Sequence, residues 1–264
     1  MTIFAKGNLD LRDTLHALRV GGAVRWNGIN EIVRARHPAT VVRVRHETCT
    51  RSDALAACDG TIPPELAARR LPLDPYSLET QFSAALYDGD ADAYVLSIQP
   101  DIAIRLMRHR RDGTLFMANA PATWDEGDRR WLHASFERTG LLDADASMRH
   151  LGAIVARLRT RTAAPILVYN VSSVVPGDSV HSHEGVGETL ATRIRRFNVA
   201  LADFSARTGA SIVDVDAIIA RAGADATKLD AFHLNAEGCR VVAGETVRIL
   251  EDLGVFAGRE VARC

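Results

Sequence analysis

The sequence predicts a doubly wound α/β sandwich. Three observations carry that expectation. Five short apolar, β-rich runs recur along the chain. Amphipathic segments with helical spacing separate them. The runs are apolar without strict alternation, as expected of strands buried on both faces of a parallel sheet. Parallel neighbours need crossover connections, so helices should cover both faces.

The first run spans residues 2–6 (TIFAK) and closes at Gly7-Asn8. The second spans 41–45 (VVRVR), the third 94–98 (YVLSI), the fourth 165–170 (PILVYN) and the fifth 211–215 (SIVDV). The clearest helix carries Leu190, Ile194, Phe197, Leu201 and Phe204 on one face. Met148, Leu151, Val155 and Leu158 mark a helix before the fourth run. Val241, Val242, Val247, Ile249 and Leu250 fit a final helix less regularly. Residues 60–76 hold Pro63, Pro64, Pro72 and Pro75 and read as an irregular connection. Residues 102–118 alternate around Arg111-Asp112-Gly113, which reads as a β-hairpin excursion beside the site. No repeat, low-complexity tract or linker interrupts residues 1–264, so one domain is expected, with 60–76 and 102–140 as insertions or cap elements.

The composition supports a globular chain. Of 264 residues, 47% are apolar and 25% charged, and the net charge is −1. A balanced charge removes any global case for binding nucleic acid or anionic membranes. Lys6 and Lys228 are the only lysines, a bias that fits a GC-rich genome better than a function. Cys49, Cys58, Cys239 and Cys264 show no metal-ligand spacing and read as free thiols. The N-terminus shows no signal peptide, and no apolar stretch of membrane-spanning length occurs, so a cytoplasmic protein is expected.

In open α/β sheets, ligands sit beyond the carboxyl ends of the strands. The most informative motif follows the fifth run: Asp230-Ala231-Phe232-His233-Leu234, then Asn235-Ala236-Glu237-Gly238 and an apolar helix. An Asp three residues before a His can bind one imidazole nitrogen and leave the other free as a base. The alternative is an N-capping Asp beside a surface His.

This D-x-x-H-L-x-x-x-G block after five β-α units resembles the SGNH/GDSL hydrolases, in which it supplies the catalytic Asp and His. Residues 164–170, the segment Arg196-Phe197-Asn198 and the run 212–216 also look typical of that family. The similarity covers most of residues 150–254; the first 100 residues match only in layout. The resemblance implies a flavodoxin-like three-layer sandwich around a five-stranded parallel sheet. It also implies hydrolysis or transfer of an acyl group from a small-molecule ester or acyl substrate, with no cofactor and no metal.

The N-terminal half departs from the family pattern. Where the family has Gly-Asp-Ser-Leu, this chain has Gly7-Asn8-Leu9-Asp10, without a hydroxyl. Arg12-Asp13-Thr14-Leu15 looks like a displaced copy, with Thr14 as provisional nucleophile if residues 7–11 form a longer loop. Thr14 otherwise reads as a residue near a helix N-terminus. After the third run, Ile98-Gln99-Pro100-Asp101 stands where the family has Gly-x-Asn-Asp, and the Gln99 amide can donate to an oxyanion. Asn8 is a second donor at the right strand end, or a turn residue. The family's glycine after the second strand has no counterpart; His46-Glu47-Thr48 occupies its place.

Other candidates carry less. Ser97 reads as buried in its strand, and Ser172 and Ser173 as turn hydroxyls. His181-Ser182-His183-Glu184 lacks a third metal ligand. Gly185-Val186-Gly187 lacks the lysine of a P-loop. A nucleotide-binding reading fails for want of a glycine-rich fingerprint after the first run. Arg105, Arg108, His109, Arg110 and Arg111 gather charge in the hairpin, either as a solvated surface or as a site for an anionic substrate or carrier protein. The expectation is therefore an SGNH-like hydrolase with His233 as base, Asp230 orienting it, Thr14 as provisional nucleophile, and Asn8 and Gln99 at the oxyanion. The alternative is a catalytically inert or re-purposed protein of the same fold that binds a small molecule or a partner within a biosynthetic pathway.

Overall fold

A computed structural model describes residues 1–48, 51–174 and 187–257. Five strands form the central parallel sheet: β1 (Thr2–Gly7), β4 (Arg43–Thr48), β5 (Ala93–Ser97), β9 (Ile166–Tyr169) and β10 (Ser211–Val213). β2 (Leu18–Val20) and β3 (Ala23–Trp26) make a separate hairpin. The spatial order β10-β9-β5-β1-β4 is the flavodoxin-like order implied by the resemblance. The observed strands sit on the expected runs. The second is displaced the most, to Arg43–Thr48, where it pairs along the whole of β1.

Side-chain alternation divides the core into two layers. Phe4, Tyr94, Leu96, Ile166 and Val168 point to one face. There they meet α3 (Ser52–Ala57), α8 (Ala144–Arg159) and α9 (Leu190–Thr208). Ile3, Ala5, Ala93, Val95 and Leu167 point to the other face. They meet α1 (Leu9–Leu15), α2 (Asn30–Arg36), α10 (Val215–Ala222) and α12 (Ala236–Asp252). All five residues of the predicted apolar face of α9 are buried. That helix starts on a Thr189 cap and stops at Gly209, which adopts the left-handed φ of 70°. Among the described residues, no helix is long and apolar enough to cross a membrane.

A third, smaller core lies outside the sandwich. β6 (Met107–His109), β7 (Leu115–Phe116) and β8 (Phe136–Arg138) form an antiparallel sheet ordered β7-β6-β8. Around it lie α4 (Pro64–Ala67), α5 (Leu78–Gln81) and α7 (Glu126–Ser135). Leu66, Leu73, Met107, Phe116, Leu132 and Phe136 share this core, so the 60–76 and 102–140 segments pack as one unit. The hairpin expectation holds, with one correction. Residues 102 and 103 belong to α6 (Gln99–Ala103), not to a strand. The Gln99 backbone N–H donates to Ser97 Oγ and turns the chain, and Pro100 suits the first helical turn.

Two buried arginines clamp this excursion to the sandwich. Arg51 donates to the Gly140 carbonyl at 2.7 Å and pairs with Asp53. Arg193 donates to Ile102 O at 2.6 Å and to Leu142 O. The segment is thus held where it leaves and where it rejoins. The short helix α11 (Ala224–Thr227) completes the chain before the His233 loop.

Candidate active site

β1 and β5 are neighbours in the sheet, and the order places their onward connections on opposite sides. The loops after them diverge and leave a crevice, the usual ligand position in such sheets. Asn8 follows β1 and Gln99 follows β5. Both line a cavity of about 350 Å³, together with Leu9, Tyr76, Asn119, Phe232 and His233. The structure thus brings His233, Asn8 and Gln99 to one space, although they are far apart in sequence.

The His233 loop is tightly specified. Asp230 Oδ1 accepts the backbone amides of Phe232 and His233 at 2.8 and 2.9 Å. Its two oxygens lie 3.0 and 2.8 Å from His233 Nδ1. Partial burial opposes ionisation of Asp230, but the two amides and the imidazole outweigh it, so its carboxyl titrates below the ordinary range. Nδ1 is engaged, which leaves Nε2 as the nitrogen available for proton transfer. Asp230 is not a helix cap. That role belongs to Asn235, whose Oδ1 accepts from Glu237 N and Gly238 N.

The rest of the motif explains how the loop is held. Lys228 is buried and donates from Nζ to Ser172 O, Val174 O and Ala231 O, tying the loop to the end of β9. Burial pushes its pKa down to about 8. Asn235 also donates to Ala226 O. A Cβ on Gly238 would lie 2.2 Å from Thr227 O, so the motif's glycine allows α12 to pack against α11.

Asn8 sits at the N-cap of α1, yet its side chain caps nothing. Its Oδ1 instead accepts a hydrogen bond of 2.8 Å from the Tyr76 hydroxyl. With the oxygen occupied, the amide nitrogen is left to donate. Tyr76 is 8% exposed and comes from the proline-rich connection. Gln81 holds that connection, donating to Tyr76 O and accepting from Met117 N at 2.6 Å. Sequence reading missed Tyr76 and Asn119 because only folding brings residues 60–76 and 102–140 to the strand ends.

Thr14 requires a correction. The structure does not bring it to His233. α1 begins at Leu9, so residues 7–11 form no longer loop. A Cβ on Gly7 would lie 2.4 Å from Leu11 Cδ1, which shows how closely α1 folds back on β1. Thr14 is 1% exposed, and its hydroxyl donates to Asp10 O at 2.7 Å, one helical turn back. It lines a separate cavity of about 20 Å³. Leu9, at the place of the family's serine, faces the larger cavity instead.

The remaining candidates have structural partners. Ser97 is buried; its hydroxyl donates to Asp10 and accepts from Gln99 N, fixing the start of α6. Ser173 bonds Asp216, and Ser172 bonds Val174 O. His46 contacts Gly7 O at 3.1 Å, and burial pushes its pKa down to about 4. Glu47 pairs with the buried Lys6 at 2.7 Å. Residues 181–186, with both histidines of the metal-like motif, lie outside the described residues. Among the described residues, no three His, Cys, Asp or Glu side chains group as metal ligands.

No family model matches the sequence, and a search of curated proteins finds no match. Solved structures do. An α/β hydrolase enzyme from the metagenome of Lake Arreo, Spain, is 13% identical, with a TM-score of 0.53 over 97% of this chain and 96% of that one. A protein of Slackia heliotrinireducens assigned to the SGNH hydrolases is 16% identical, with a TM-score of 0.50 over 94% and 97%. An acetylxylan esterase of Geobacillus stearothermophilus is 12% identical, with a TM-score of 0.50 over 99% and 97%. At these identities the shared property is the fold, and it is the fold implied by the C-terminal motif.

Proposed function

We propose that this chain hydrolyses an ester or other acyl substrate, with His233 as general base oriented by Asp230 and water as nucleophile. One observation carries this reading: the Asp230–His233 pair borders the same cavity as Asn8 and Gln99, while Leu9 holds the position of the family's serine. His233 Nε2 takes a proton from water, and the hydroxide adds to the acyl carbonyl. The resulting oxyanion accepts hydrogen bonds from the amides of Asn8 and Gln99. The imidazolium then returns the proton to the leaving oxygen. No acyl-enzyme is expected, because no serine or threonine is among the described residues that line the cavity with His233. The structural neighbours that are esterases and hydrolases support the reaction class. The expected partner is a small molecule, and the expected compartment remains the cytoplasm.

The test is hydrolysis of short-chain aryl esters by the wild-type chain and by His233→Ala. The expected result is a steady-state rate without a burst, lowered on the order of 10²-fold or more by the substitution. Equal rates in the two proteins, or none in the wild type, overturn the assignment and leave an inert, re-purposed fold.

A further inference from the structure

Gln99 lines two spaces at once: the cavity that holds His233, and the small cavity of about 20 Å³ shared with Asp10 and Thr14. The small cavity has room for one water molecule. Gln99 is 6% exposed, and its Oε1 is sealed from solvent without a hydrogen-bond partner among the described residues. Asp10 Oδ1 is in the same position. Unpaired buried acceptors are rare in folded proteins, so two beside one small cavity point to a shared partner. Asp10 stands where Gly-Asp-Ser-Leu has its leucine. The chain thus carries a carboxylate at a position that packing alone would fill with an apolar side chain.

The donors around this cavity are directed elsewhere. The Thr14 hydroxyl donates to Asp10 O, and the Ser172 hydroxyl to Val174 O. Asn170 Nδ2 donates to Asp214, and the Tyr169 hydroxyl pairs with Thr246. Lys228 gives its three protons to the carbonyls of Ser172, Val174 and Ala231. Two acceptors are left to be met from one point, and a water molecule carries two protons.

We propose that this cavity binds one ordered water, which donates to Asp10 Oδ1 and to Gln99 Oε1 and so makes Asp10 a positioning residue for the Gln99 amide. With Oε1 held on the water, the planar amide turns Nε2 toward the His233 cavity, where the oxyanion lies. Asp10 also holds the backbone of the same residue. It accepts from the Ser97 hydroxyl, which itself accepts from Gln99 N at 3.0 Å. One carboxylate therefore fixes both ends of Gln99. The consequence for catalysis rests on the oxyanion role given to Gln99.

A high-resolution crystal structure of the wild-type chain tests the site directly. The expected result is one water within about 3 Å of both Asp10 Oδ1 and Gln99 Oε1. Asp10→Leu should lose that water and lower kcat on short-chain aryl esters about tenfold, with KM within about twofold. Asp10→Asn keeps a polar partner for the water and should recover most of the loss. Ser97→Ala breaks the backbone link alone, so Asp10→Leu should still lower kcat in that background. In a Gln99→Ala chain it should add nothing. Thermal melts check that each variant is folded. A cavity without water, a water that survives Asp10→Leu, a kcat within about twofold of wild type in that variant, or an undiminished loss in the Gln99→Ala background overturns the proposal. Turnover separates it from the role of His233. A wild type that holds the water but hydrolyses no ester sinks the function given to the site and leaves the water site standing. A wild type that hydrolyses esters with no water in the cavity sinks the water site and leaves His233 standing.

Discussion

The Tyr76 hydroxyl donates a 2.8 Å hydrogen bond to Asn8 Oδ1, joining the proline-rich connection to the end of the first strand. This contact fixes which end of the Asn8 amide faces the cavity. Tyr76→Phe should lower kcat about tenfold with KM within about twofold, because an oxyanion donor loses its orientation and not its presence. Asn8→Ala should cost on the order of 10²-fold. The double variant should be no worse than Asn8→Ala alone, since Tyr76 acts through Asn8. Additive losses in that cycle would show that Tyr76 acts independently of Asn8.

Asp230 holds His233 by its Nδ1. Asp230→Asn keeps the shape but favours the wrong imidazole tautomer, and should lower kcat on the order of 10²–10⁴-fold. Steady-state kinetics on the same aryl esters measure this. A loss under twofold would mean that the pairing is structural.

Thr14 lies inside α1 and bonds the Asp10 carbonyl. Thr14→Val is close in volume and should leave the hydrolysis rate within about twofold of wild type, with a stability change of about 1 kcal/mol. A loss on the order of 10²-fold in a folded variant would reinstate Thr14 as nucleophile.

Asp10 gives a pH signature in stability. Its Oδ1 is buried without a hydrogen-bond partner among the described residues. Burial raises its pKa from 3.8 to about 6, against the opposing hydrogen bonds from Ser97 and Leu11 N. Between those values the folded chain binds a proton that the unfolded chain has released. Its contribution to stability is therefore greatest below the lower value. It falls as pH rises toward 6, by on the order of 3 kcal/mol. Denaturant melts from pH 4 to 7 should show this decline in the wild type and a flatter profile in Asp10→Asn. Parallel profiles would refute it.

Much of the sandwich is legible in the sequence because it is written in local periodicity. Phe4, Tyr94 and Val168 belong to apolar runs, and Leu190 to Phe204 share a helical face, before any tertiary contact is considered. The Asp230–His233 pair is legible for the same reason. Three residues of chain suffice to place that carboxylate on that ring, and Asn235 and Gly238 secure the helix that follows.

Thr14 illustrates where such reasoning stops. Its similarity to a displaced motif depended on a loop. The tight return of α1 onto β1 at Gly7, a packing fact, removes that loop. Tyr76 is the converse case: in sequence it is one aromatic residue in an irregular, proline-rich segment, and only the shared core around Leu73 and Phe116 brings that segment to Asn8.

By itself, then, the sequence determined the sandwich, the hairpin excursion and the His233 pair, all set by short-range spacing. The tertiary structure alone decided which strand ends meet across the crevice. It also decided that Leu9 and not Thr14 faces the cavity, and that Arg105 and Arg110 border a cleft that shares Ala103 and Ile104 with the His233 cavity. Those relations join residues tens of positions apart, and the packing of the excursion against the sheet is what creates them.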